Sequence, residues 1–118
     1  MTSGIIRLLI IALFMGGSTI WCGTTHAADG DAAKGKAQYE KLCVACHGAQ
    51  GKGDGPAGAA LKPPPADFTS AASKKKSAAD LRKVIEEGKP GTAMIGWKGQ
   101  LSANDITDIL AYLSSLRK

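Results

Sequence analysis

The feature that most constrains this chain is a five-residue stretch at positions 43–47 with the pattern Cys-x-x-Cys-His. Its two thiols and its imidazole stand at positions i, i+3 and i+4. On a helix, Cys43, Cys46 and His47 would therefore lie on the same side. Three such groups on one face can hold a single flat ligand, so the rest of the fold has to be arranged around whatever they bind.

Three chemistries compete for this motif. Cys-x-x-Cys-His is the attachment signal for c-type haem, in which the thiols add to two vinyl groups and the histidine binds the iron. A redox-active dithiol normally follows a strand of a βαβ unit, and a zinc site needs a second ligand pair. No alternating strand pattern of useful length occurs, and no Cys or His follows His47. The motif therefore predicts one covalent haem, held by Cys43, Cys46 and His47.

The N-terminal segment has the order of a secretory signal peptide. One arginine precedes an unbroken apolar run at 8–15, and Thr25 and Ala27 are small residues three and one places before a cut after Ala27. Cleavage of residues 1–27 would remove Cys22 and leave a periplasmic chain of residues 28–118. An uncleaved membrane anchor is the alternative, although the run is shorter than the roughly 18 apolar residues of a spanning helix.

Three amphipathic segments predict an all-α fold. The first runs from about Asp31 to Cys46, with an acid at its start and apolar residues at helical spacing. The second begins at Ser77, with an acid three residues later, and stops at Gly88 before a proline. The third begins at Ser102 with the same signature. Its apolar stripe consists of Ile106, Ile109, Leu110, Leu113 and Leu116.

The polypeptide alone provides a thin core. Two loops rich in glycine and proline, at 48–69 and 89–101, separate the helices, and neither contains a phosphate-binding or calcium-binding pattern. A chain of this size is already marginal in stability. A large apolar cofactor at the centre would resolve the shortage. After cleavage the only aromatic residues are Tyr39, Phe68, Trp97 and Tyr112.

The charge is modestly positive. Loss of Arg7 with the signal peptide would leave 14 basic and 10 acidic residues, spread along the chain apart from a lysine run at 74–76. We interpret that run as a solvated loop, because nucleic-acid binding would need a denser patch with aromatic platforms or a recognition helix. The charge does suit transient docking onto acidic redox proteins. The lysines expected near an exposed haem edge are Lys52, Lys62, Lys89 and Lys98.

The second axial ligand of the iron follows by elimination. After cleavage at Ala27 the chain keeps one histidine, His47, and one methionine, Met94, which lies 47 residues further on in the second loop. Met94 as a simple core filler is the alternative. Ligation by a neutral thioether would raise the reduction potential and close the second axial position. A closed iron argues against binding of oxygen or peroxide, and no residue set suggests catalysis.

The whole mature chain resembles a class I c-type cytochrome. This resemblance implies a bundle of three main helices around one haem, and single-electron transfer as the function. There are two alternatives. The protein could be a haem subunit of a dehydrogenase or oxidase complex, or a sensor that binds a small molecule at the iron. The matching stretches are the motif with Gly48, then Gly55-Pro56, Thr92 to Ile95, and Ala111 to Leu113.

The resemblance also assigns roles to residues outside the motif. It implies that the first and last helices cross at Gly35, Tyr39 and Tyr112. A proline carbonyl should accept the Nδ1–H of the haem-binding histidine. Pro56 matches that proline, with Pro63, Pro64 and Pro65 as competitors. Trp97 is expected either against the haem or as a cap on the core. Ile95 stands where many bacterial members have a proline.

Overall fold

The computed structural model of the chain describes residues 29–118, and its regular structure is helical. The signal-peptide prediction therefore lies outside the described residues. Only two isolated β-bridges and no β-strand occur in this part of the chain, so the all-α prediction is confirmed. The elements are α1 (Ala32–Leu42), α2 (Val44–His47), a 3-10 turn (Gly58–Ala60), α3 (Ala71–Lys74), α4 (Ala78–Glu87) and α5 (Ala103–Leu116).

The first predicted helix is two helices in the structure. Asp31 caps α1 by accepting the N–H groups of Ala33 and Lys34 at 2.9 and 3.1 Å. The helix stops at Cys43, whose backbone opens to φ −115°, and α2 then forms a single turn. The prediction of one continuous helix from Asp31 to Cys46 was therefore wrong at Cys43. The helical spacing of apolar residues in the sequence does not reveal a break at a single residue.

The starts of α4 and α5 are as predicted. Ser77 and Ser102 each accept the backbone N–H of an aspartate three residues later. That aspartate, Asp80 or Asp105, accepts the serine's own backbone N–H in return. Each reciprocal pair satisfies two of the donors that a helix start leaves free. The predicted stop of α4 at Gly88 is also confirmed, with φ +78°, a conformation that favours glycine.

A short helix, α3, was not predicted. Ser70 caps it by accepting the N–H of Ser73 at 3.1 Å, and the helix is only one turn long. It includes Lys74, so part of the lysine run expected in a solvated loop is helical. A single turn gives too few residues for helical periodicity to show in the sequence.

The crossing of α1 and α5 forms the centre of the fold. Gly35 lies so close to α5 that an added Cβ would collide with the backbone of Asp108 and Ile109. The rings of Tyr39 and Tyr112 meet edge to face, with centroids 5.2 Å apart. The crossing expected from the resemblance is thus confirmed. The buried apolar core consists of Tyr39, Phe68, Leu81, Ile85, Leu101, Ile106, Ile109 and Leu113.

None of the helices between residues 29 and 118 is both long enough and apolar enough to span a bilayer.

Candidate functional site

The two cysteines and the histidine of the motif meet on the single turn of α2. Cys43 is the residue that caps this turn, and its carbonyl accepts the N–H groups of Cys46 and His47 at 3.2 and 2.9 Å. All three side chains are half-buried, and both thiols are free. Burial, and secondarily the neighbouring Cys46, raises the pKa of the Cys43 thiol to about 11. At neutral pH Cys43 is therefore a protonated thiol, unlike the thiolate that drives redox-active dithiols.

The imidazole of His47 is held in a defined orientation. Its Nδ1 lies 3.2 Å from the carbonyl oxygen of Ala66, and its ring stacks on Phe68, with centroids 4.8 Å apart and planes at 21°. Burial lowers the pKa of His47, and the contact with Ala66 opposes this only in part. Because a carbonyl can only accept, Nδ1 carries the proton. The neutral ring keeps the Nε2 lone pair free for a metal.

The acceptor for His47 is not the expected proline. Residues 53–57 fold back along α2, where the N–H groups of Gly55 and Ala57 donate to the carbonyls of Cys46 and Ala45 at 3.1 and 2.9 Å. Pro56 lies exposed within this stretch. The prediction that Pro56 accepts from His47 was therefore wrong, and the competitors Pro63, Pro64 and Pro65 do not make the contact either. The acceptor is the next residue, Ala66.

Sequence reasoning missed Phe68 as part of this site. The residue is 8% exposed, and its backbone N–H donates to the carbonyl of Gly51 at 2.7 Å. That bond fixes the second half of the first loop against the first half, close to the end of α2. The available signal was that Phe68 is the one aromatic residue in an otherwise glycine- and proline-rich loop.

Tyr39 ties the end of α2 to the helix crossing. Its hydroxyl donates to the carbonyl of Gly48 at 2.7 Å, within the protein interior. Burial, more than the neighbouring groups, raises the pKa of Tyr39 well above its ordinary range, so the donor proton is retained. Because Gly48 follows His47 directly, this bond fixes the main chain next to the imidazole.

The second loop is held against the C-terminal end of α4. The N–H of Lys89 donates to the carbonyl of Met94 at 2.9 Å, and the N–H groups of Trp97 and Lys98 donate to α4 carbonyls at 2.8 and 3.1 Å. Met94 is half-buried, and its own N–H donates to the hydroxyl of Thr92 at 3.2 Å. Both the N–H and the carbonyl of Met94 are therefore hydrogen-bonded within the loop, which fixes the main chain at this residue.

The remaining predicted residues lie around this loop. Trp97 is half-buried and packs against the core cluster, as in the core-capping alternative, whereas its contact with a haem stays a prediction. Ile95 is 58% exposed. The four lysines predicted for docking are all exposed.

The donor set fits a covalently attached haem. Two half-buried thiols and a neutral imidazole with a satisfied Nδ1 are the three groups that attachment and axial ligation require. All three lie on one turn whose orientation is fixed by Tyr39, Ala66 and Phe68.

Comparison with known proteins gives a consistent family match. The cytochrome c family model matches residues 32–117. Cytochrome c-554(547) from Halothiobacillus neapolitanus is 34% identical over 90 residues, which cover 75% of this chain and 99% of that protein. Cytochrome c55X from Paracoccus denitrificans is 32% identical over 107 residues, which cover 91% of this chain and 92% of that protein.

Two of the similar solved structures are parts of larger chains. A chain of the reducing HAO-like protein complex from Kuenenia stuttgartiensis is 27% identical with a TM-score of 0.67, and the match covers 76% of this chain. The dihydro-haem d1 dehydrogenase NirN is 32% identical with a TM-score of 0.56 over 68% of this chain. The chain spans 44% of the first structure's length and 15% of the second's.

Proposed function

The chain belongs to the cytochrome c family, whose members bind haem c covalently and transfer electrons, and from this premise we propose that it is a single-electron carrier with His47 and Met94 as axial ligands. One observation carries the proposal. The imidazole of His47 is neutral, half-buried and fixed by Ala66 and Phe68 beside the two motif cysteines.

The protein's own residues would prepare and hold the redox centre. When bound, haem c supplies an iron that exchanges one electron. Cys43 and Cys46 would anchor it through thioether bonds, and His47 would provide one axial nitrogen. The hydrogen bond from Nδ1 to Ala66 increases the donor strength of the imidazole and prevents the ring from turning. A fixed ligand changes its position little between oxidation states, which suits electron transfer.

Met94 would provide the second axial ligand. A neutral thioether stabilises the ferrous state relative to a second imidazole and so raises the potential. The bonds from Lys89 to Met94 and from Met94 to Thr92 support this role, because they hold the main chain on both sides of Met94. If His47 and Met94 both held the iron, it would have no open position for a small molecule, which favours a carrier over a sensor.

The sensor alternative is tested with carbon monoxide. We expect the absorbance of the ferrous holoprotein to be unchanged by the gas, because Met94 occupies the position that the ligand needs. Met94→Ala serves as the positive control and should bind carbon monoxide. A rapid, saturable spectral change in the unmodified protein would favour the sensor.

Exposed lysines support transient docking. Electron carriers need short-lived complexes with interfaces below about 1,200 Å², in which rim charges act mainly on the association rate. We expect Lys98→Glu to slow oxidation of the ferrous protein by ferricyanide at low salt, with the difference fading as salt is raised. Lys34→Glu, on α1, is the control with the same change in charge. Equal effects of both variants would mean that only net charge matters.

A haem subunit of a larger complex is the second candidate. It is favoured by the similarity to part of a chain in the HAO-like complex, whereas the two cytochrome relatives are matched over 99% and 92% of their length. Size-exclusion chromatography of a periplasmic extract, followed by haem absorbance, separates the two. A free carrier elutes at the size of the monomer, and a subunit elutes with a larger assembly.

We further propose that the protein is periplasmic after cleavage at Ala27. N-terminal sequencing of the native holoprotein should then begin at Ala28. An intact N-terminus in a membrane fraction would instead indicate an anchor.

A further inference from the structure

A second charged surface lies apart from the residues proposed to bind haem. A cleft of about 440 Å³ opens between the end of α3, the start of α4 and the end of α5. Neither the motif residues nor Met94 line it. Four of its eight lining residues are cationic and none is acidic: Lys74, Lys76, Arg117 and Lys118.

The cleft brings together two segments that are far apart in sequence. The guanidinium of Arg117 donates to the carbonyls of Ser73 and Lys76 at 2.5 and 2.6 Å, and Lys74 donates to the backbone oxygen of Lys118 at 3.0 Å. The end of α5 is therefore bound to the lysine run. The sequence predicted that the lysine run at 74–76 is a solvated loop. In the structure, Lys74 and Lys76 instead line one side of this cleft.

The cationic side chains of the cleft form no salt bridge within residues 29–118, and the one acidic group that interacts electrostatically with them is Asp80, which attracts Lys76. Between residues 29 and 118 the ion pairs are Lys34 with Asp31, Lys36 with Glu40 and Arg82 with Glu86. None of them involves a cationic residue of the cleft. The bonds of Lys74 and Arg117 to backbone oxygens orient these groups.

Part of the lining of the cleft is apolar and consists of Ala78, Leu81 and Leu110. A free inorganic anion gains nothing from apolar lining residues, whereas a peptide segment that carries both carboxylates and an aliphatic side chain can contact the apolar and the cationic residues together.

From this charge complementarity we infer that the cleft is a docking site for an acidic, leucine-bearing segment of a partner protein. A bilayer fits less well, because the surface is concave. In addition, a membrane contact needs an exposed hydrophobic side chain that can insert into the bilayer. Among the described residues the large exposed hydrophobic side chain is Ile95, and it does not line the cleft. Single-stranded nucleic acid fits less well because no aromatic side chain lines the cleft for base stacking.

The test uses the full haem-loaded protein in its ferrous state. A capped six-residue peptide of alternating glutamate and leucine is titrated at low salt, and backbone amide shifts are followed by NMR. We expect saturable shifts confined to residues 73–82 and 110–118. Lys74→Glu with Lys76→Glu should weaken binding about tenfold, because two exposed ion pairs with the peptide are lost and charge reversal adds repulsion. The control, Lys34→Glu with Lys36→Glu, carries the same change in charge and should bind nearly as well as the unmodified protein.

Three results would overturn the inference. Equal weakening by both double variants would mean a general field and no site. The same shifts with inorganic phosphate would mean a simple anion site. Binding to phosphatidylglycerol vesicles that depends on Lys74 and Lys76, without binding of the peptide, would mean a membrane contact. None of these readouts depends on electron transfer, so they do not bear on the proposed carrier function.

Discussion

The buried hydrogen bond of Tyr39 allows a stability prediction with a defined magnitude. Tyr39→Phe removes the hydroxyl that donates to the carbonyl of Gly48 at 2.7 Å, but keeps the ring against Tyr112. The carbonyl of Gly48 also accepts the N–H of Gly51 at 3.1 Å, so the change leaves no buried acceptor without a partner. The cost should then be that of one ordinary hydrogen bond, about 1 kcal/mol.

This loss should be measurable in the ferric holoprotein. For a domain of 60–100 residues, about 1 kcal/mol lowers Tm by roughly 4–8 °C. In a denaturant titration followed by circular dichroism, the midpoint should fall while the slope m stays the same. Tyr112→Phe is the matched control. Its ring is half-buried, and its hydroxyl makes no hydrogen bond within residues 29–118, so its stability should change little.

The same bond predicts a difference at alkaline pH. Burial raises the pKa of folded Tyr39 above the ordinary value of 10.0. Its contribution to stability is therefore complete below pH 10 and is lost as the pH rises toward the folded value. Unmodified protein should lose stability above pH 10 more steeply than Tyr39→Phe. Equal stability of Tyr39→Phe and the unmodified protein at neutral pH, or parallel alkaline slopes, would refute the reasoning.

Three further changes test other parts of the fold. Gly35→Ala should destabilise the holoprotein by about 1–3 kcal/mol in denaturant, since the new methyl meets the backbone of α5 and forces the helices apart; an unchanged midpoint would contradict that crossing. Asp105→Asn should lower stability at neutral pH, because hydrogen bonds from Ser102 hold the pKa of this carboxyl below its ordinary value, and the difference should disappear as the pH falls through that lowered pKa and the carboxyl is protonated. Cys43→Ala with Cys46→Ala, prepared without haem, should be largely disordered by circular dichroism, as ordering costs about 1–2 kcal/mol per residue of backbone; a cooperative melt would show that the polypeptide folds alone.

The sequence predicted those features of the fold that depend on interactions between residues close together in the chain. The serine and aspartate pairs that start α4 and α5 act within four residues, and so does the glycine that ends α4. The motif at 43–47 likewise carries its chemistry in its own spacing. These features were all predictable without knowledge of the tertiary structure.

The features that were not predicted depend on contacts between distant residues. The acceptor for His47 lies 19 residues away, in a loop whose course depends on the bond from Phe68 to Gly51. A family pattern pointed to Pro56, but the backbone bonds of residues 53–57 place that proline elsewhere. The convergence of Lys74 with Lys118 spans 44 residues. No periodicity or capping signal encodes such pairings.

The axial ligation by Met94 is the central claim of the proposed function, and one measurement tests it most directly. The red absorbance band that arises from charge transfer between sulfur and ferric iron should be present in the unmodified holoprotein and absent in Met94→Ala. The midpoint potential should fall in the same variant, because a thioether favours the ferrous state. A band and a potential that both survive the substitution would contradict ligation by Met94.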